Sequence, residues 1–117
     1  MTNSILKEKS YRFAIRIIGM YKYLCANKKE FVMSKQILRS GTSVGAMVRE
    51  AEFAQSRADF INKMSIALKE ANETDYWLLL LCDSEFLKKN MYESIKKDCE
   101  EIIKILVASV KTSKNNS

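Results

Sequence analysis

Apolar side chains return at helical spacing in four successive stretches of the chain. In the first, Leu6, Phe13, Ile17, Met20 and Leu24 form one row and Ala14, Ile18, Tyr21 and Cys25 run beside it. This pattern predicts a core-facing helix over about 4–26, capped by Asn3 or Ser4. Asn27-Lys28-Lys29-Glu30 reads as a polar turn. The second helix is expected over 34–55, with Ile37, Val44, Val48 and Ala51 on its stripe, Ser34 as N-cap, and Met33 and Leu38 flanking it as a hydrophobic staple. Ser56 and Asp59 have capping-box spacing and open a third helix over 57–82, where Ile61, Met64, Leu68, Ala71, Leu78 and Cys82 recur and Asp75 interrupts the row. Asn90 and Glu93 repeat that spacing before a fourth helix over 91–110, built on Tyr92, Ile95, Cys99, Ile102, Leu106 and Val110. Residues 111–117, KTSKNNS, carry no apolar side chain and are expected to be disordered. Four helices joined by short turns give one all-α domain over 1–110, an up-down-up-down four-helix bundle.

Two stretches depart from a simple amphipathic pattern. Gly41 and Gly45 stand four apart beside the apolar stripe of the second helix. Each costs about 0.5–1 kcal/mol relative to alanine, so a neighbouring helix is expected to approach the backbone there. The run SGTSVG lacks the G-x-x-x-x-G-K-[ST] pattern and sits inside a helical period, which favours packing over phosphate binding. Tyr76-Trp77-Leu78-Leu79-Leu80-Leu81-Cys82 is apolar on every side, whereas a helix of an isolated bundle shows water about half its surface. Seven residues are too few for a membrane span, so Tyr76, Trp77, Leu80 and Leu81 are candidates for a subunit interface.

The absence of proline and the presence of only three glycines remove the breakers that β-rich folds use. No apolar run reaches membrane-spanning length, and the N-terminal segment lacks the apolar core of a signal peptide; a cytoplasmic protein is expected. Histidine is absent, which removes the commonest general base and the histidine-containing metal motifs. No catalytic residue, metal site or cofactor is assigned. Cys25, Cys82 and Cys99 all fall on apolar stripes and read as core thiols. Glu70 and Glu73, three apart on one helix face, are expected to pair with Arg39 or Arg49, or simply to be solvated, rather than hold a cation.

Charge is unevenly distributed within the net +6. Residues 1–57 hold 11 Lys/Arg against four Asp/Glu, a balance of +7, and the remainder holds nine against ten, a balance of −1. A basic half points to a polyanionic partner. Lys9, Arg12, Arg16, Lys35, Arg39, Arg49 and Arg57 are the candidate contacts for nucleic acid.

The run SKQILRSGTSVGAMVREAEFAQSRADFINKMSIALKEANETDYWLLLL, together with YRFAIRIIGMYKYL before it and DCEEIIKIL after it, resembles the bacterial four-helix-bundle proteins encoded in intervening sequences of 23S ribosomal RNA genes. The same fold is similar to that of the accessory variability determinant of diversity-generating retroelements. The resemblance implies a ring-like homo-oligomer, pentameric where the architecture is known, offering a basic surface to nucleic acid or to a nucleic-acid enzyme. The matching positions include Arg39, Arg49, Glu50, Ala51, Glu70 and Glu73, while Met47 replaces a frequent asparagine and Glu85 a frequent helix-ending glycine. The resulting expectation is a non-enzymatic, oligomeric accessory protein that binds RNA or single-stranded DNA. The alternative is a scaffold that docks a protein partner such as a reverse transcriptase or a ribosome-associated factor.

Overall fold

In the computed structural model, which describes residues 4–116, the chain forms α1 (Ser4–Lys28), α2 (Met33–Glu52), α3 (Arg57–Asp83) and α4 (Lys89–Asn115). Each helix packs against its neighbours in sequence and α4 closes on α1, giving the expected up-down-up-down bundle in a body of 47 × 20 × 19 Å. The rows read from sequence meet in one core. Leu6, Phe13, Ile17, Ile37, Val44, Met64, Leu78, Leu81, Ile95, Ile102 and Leu106 are all essentially without solvent exposure.

The α1–α2 contact depends on the two glycines. A Cβ on Gly41 would stand 2.8 Å from Ile17 Cγ1 and 2.9 Å from Cγ2, inside any permitted contact, and one on Gly45 would stand 3.3 Å from the Ser10 carbonyl. Helix α2 therefore lies directly on the side chain of Ile17 and the backbone at Ser10. Opposite, Thr74 Oγ1 donates to the Ser40 hydroxyl at 2.9 Å, tying the buried polar side of α2 to α3.

Two helix N-termini differ from the sequence expectation. Ser34 is not the N-cap of α2, because the helix starts at Met33 and Ser34 is buried inside it, donating its hydroxyl to the Glu30 carbonyl at 2.8 Å. Glu30 caps the helix instead: its carboxylate accepts the backbone N–H groups of Val32 (3.1 Å), Met33 (3.0 Å) and Ser34 (2.7 Å). A longer acid does here what a serine was expected to do, satisfying three orphan donors at once. Asn90 and Glu93 form no capping box; α4 starts at Lys89 after an extended Lys88 with no side-chain cap. Ser56 does cap α3, accepting the Asp59 N–H at 3.0 Å, and the Asp59 carboxylate accepts from Gln55 N–H at 3.2 Å. Asn3, the other candidate cap of α1, lies outside the described residues.

Helix α2 stops at Glu52, three residues short of its expected end, and α4 continues to Asn115, so residues 111–115 are helical rather than disordered. No glycine or proline interrupts that segment. Arg57 holds its end by donating to the carbonyls of Ser113 (3.4 Å) and Asn116. A cation on the last carbonyls of a helix also opposes the negative end of its dipole.

Glu85 ends α3 in the left-handed conformation, with φ of 67°. Its N–H donates to the Cys82 carbonyl and that of Phe86 to Leu81, the paired bonds of a Schellman turn. This turn folds Phe86 and Leu87 over the end of the core. Because a side chain at positive φ is strained and glycine is not, Glu85→Gly is expected to raise stability by about 0.5–1 kcal/mol in urea unfolding.

Candidate nucleic-acid interface

The seven basic residues singled out from the sequence do not share one face. Lys9 and Arg16 lie on the α4 side of α1, where Lys9 Nζ meets Glu101 at 2.5 Å and Arg16 meets Asp98 at 2.6 Å. Arg16 also donates to the Ser94 hydroxyl (2.9 Å) and carbonyl (3.3 Å). Arg12 pairs one turn back with Glu8 at 2.7 Å, both side chains well exposed, a contact worth only about 0.3–0.5 kcal/mol. The basic row of the first half is thus matched by the acidic row of α4, across the most open of the four helix contacts.

Arg39 sits on the opposite side of the bundle, bridging α2 to α3. It donates to Glu70 at 2.9 Å and to Glu73, so of the alternatives open from sequence the Arg39 pairing is the one that forms. Trp77 Nε1 donates to the same Glu73 carboxylate at 3.0 Å. The hydrogen bond from Trp77, then that from Arg39, holds the Glu73 carboxyl below its ordinary value, and the bond to Glu73 raises the Arg39 guanidinium. Asp75 faces the other way and meets Lys96 of α4 at 3.4 Å. The three carboxylates are therefore split between two sides of α3 and do not converge on a common point.

Arg57 serves the end of α4, as described. Lys35 and Arg49 remain: both are exposed on α2 and, among the described residues, neither forms an ion pair. Arg49 borders a shallow groove of about 180 Å³ between α1 and α2, shared with the exposed ring of Tyr11 and with Thr42, Gly45 and Ala46.

The fold also assembles a basic cluster that the sequence pattern did not single out. Lys28 at the end of α1 and Lys88 and Lys89 at the start of α4 line one open groove of about 490 Å³ with Tyr92, Cys82, Asp83 and Glu85. Lys28 stands 60 residues before Lys88 in sequence and shares this groove because both loops lie at the same end of an up-down bundle. Alternation of helix direction was the signal that could have found them.

The apolar run of α3 is only partly available to another molecule. Leu81 is wholly buried in its own core, Trp77 is packed against that core, and Leu80 is half-buried. Leu81 is therefore a core residue and not an interface residue. Tyr76 (55% exposed) and Leu79 (45%) are the side chains of this run that face water. The cysteines are unpaired; burial, foremost, pushes the Cys99 thiol up to about 12, which leaves it unreactive.

The model of the 23S rRNA-intervening sequence protein family matches residues 2–108. The chain belongs to that family. A member of the S23 ribosomal protein family from Bacteroides thetaiotaomicron, a protein of unknown function known from its crystal structure, is 62% identical; the match covers 91% of this chain and 98% of that one, with a TM-score of 0.90. No curated protein matches the chain. Among the described residues, no helix of this family member is long and apolar enough to cross a membrane.

The Glu73 contact yields an acid-side test. A carboxyl held below its ordinary value of 4.5 adds stability that is present above that pH and lost as pH falls through the lowered value. Emission from Trp77, the single tryptophan, should change over the same range below pH 4.5, and Glu73→Gln should abolish both the spectral step and that part of the stability loss.

Proposed function

We propose that this member of the 23S rRNA-intervening sequence family is a non-catalytic, homo-oligomeric accessory protein that binds RNA or single-stranded DNA through backbone charge. The observation that carries this reading is the charge left after folding. Lys22, Lys28, Lys29, Lys35 and Arg49 of the basic first half are exposed and form no ion pair among the described residues. The link between this family and a ribosomal RNA gene supports a nucleic-acid partner. Side chains that already hold a carboxylate contribute less, because a phosphate must first displace it. Lys35 and Arg49 are therefore the contacts we favour among those expected from sequence.

Assembly multiplies the effect. Tyr76 and Leu79 on α3, with Leu80 and Trp77 beside them, are the apolar surface we assign to contact between copies, and a pentameric ring would repeat the unpaired cations around one particle. Phosphate contacts from several subunits then add to a strongly salt-dependent affinity.

Anisotropy titrations against RNA and single-stranded DNA over a range of salt test the reading. Binding at roughly 50 mM salt that weakens linearly in log–log form is expected, and Lys35→Glu with Arg49→Glu should lower the slope by about two per protomer without changing the melting temperature. Absence of binding at that salt, or binding indifferent to salt, would overturn it.

A further inference from the structure

The α1–α2 turn reverses the usual order of burial. Glu30 is 8% exposed, while the next two residues, Phe31 and Val32, are 51% and 73% exposed. The reversal is built in: the Glu30 carboxylate is held by three backbone N–H groups, its carbonyl accepts from Ser34, and its N–H donates to Leu24 O at 3.0 Å after a left-handed Lys29. With the acid locked inward, the turn holds an aromatic ring in water on a rigid support.

We infer that Phe31 is a stacking platform for an unpaired base, with the exposed Lys28, Lys29 and Lys35 that flank it in sequence as phosphate contacts. The inference rests on the nucleic-acid reading above and names the site and the strandedness. Lys28 shares its groove with Lys88 and Lys89, which extends the basic track from the turn across the end of the bundle. Asp83 and Glu85 line the same groove, leaving three lysines against two carboxylates there. An aromatic face set among cations is what a single strand needs, since every base has a π-face and its backbone is anionic; a duplex hides its bases and gains only from the lysines. A two-fold contact with a second copy at this surface would set lysine against lysine. An anionic lipid surface would satisfy the charge, yet two apolar side chains give it little to anchor.

The test uses the full chain, a short labelled oligouridine and a duplex RNA of equal length. Phe31→Ala should weaken oligouridine binding about 5- to 100-fold, leave duplex binding unchanged and leave the melting temperature unchanged, while Phe31→Tyr retains affinity. Salt-dependent oligouridine binding that Phe31→Ala does not alter overturns this inference and leaves the nucleic-acid reading standing. Binding of the duplex without oligouridine overturns this inference alone, and no binding of either RNA or of single-stranded DNA by the unaltered protein overturns both. Phe31-dependent binding to phosphatidylserine vesicles without oligouridine binding would assign the turn to lipid and overturn it as well.

Discussion

Close contact between α1 and α2 is the constraint on which the rest of this bundle depends. Gly41 has no Cβ because the branched side chain of Ile17 occupies that space, and Gly45 has none because the α1 backbone at Ser10 does. Two glycines inside a helix reduce its intrinsic stability, and that loss is offset only if the approach they permit buries more than a wider spacing would. Ile17, Ile37, Val44 and Val48 are all fully buried around this contact, which is the compensation in structural form. Once α2 is seated on α1, the buried Thr74–Ser40 hydroxyl pair sets α3 against α2.

Electrostatics closes the remaining sides. Arg39 fastens α2 to α3 through two carboxylates, and Lys9 and Arg16 fasten the open α1–α4 side through Glu101 and Asp98. Three cations of the basic first half, Lys9, Arg16 and Arg39, are thereby taken up by acids of the second half. What stays unpaired lies elsewhere: on the outer face of α2 and at the end of the bundle where the α1–α2 and α3–α4 loops come together. A basic stretch of sequence and a basic surface are therefore different objects in this protein.

The helices and most of the core rows were legible because helical periodicity is a direct record of burial; the main rows of α1 and α2 and that of α4 from Ile95 to Val110 are buried as expected, whereas Ile61, Leu68 and Cys82 of the α3 row are only half-buried and Ala67 and Leu81 take their place. The glycines were legible as a close approach, and Glu70 and Glu73 as acids within reach of an α2 arginine, without the choice between Arg39 and Arg49. The N-caps of α2 and α4 were not, because a buried Glu30 competes with Ser34 for the same donors and Lys88 offers no acceptor at all. Leu81 was misplaced because an all-round apolar segment hides which side turns inward. The lysine cluster of Lys28, Lys88 and Lys89 and the exposure of Phe31 depend on which loops meet at an end of the bundle and on a capping bond, neither of which periodicity records.

The glycine contact admits a direct measurement: urea unfolding, at one protein concentration, of Gly19→Ala, Gly41→Ala and Ile17→Ala, and of the last two combined. Gly19 has open space at its Cβ position, so alanine there should stabilise by about 0.5–1 kcal/mol. Gly41→Ala should destabilise by about 1–2 kcal/mol through overpacking, and the same change should become stabilising once Ile17→Ala has cleared the space. Gly41→Ala stabilising the unaltered protein as much as Gly19→Ala, with no coupling to Ile17, would contradict the account.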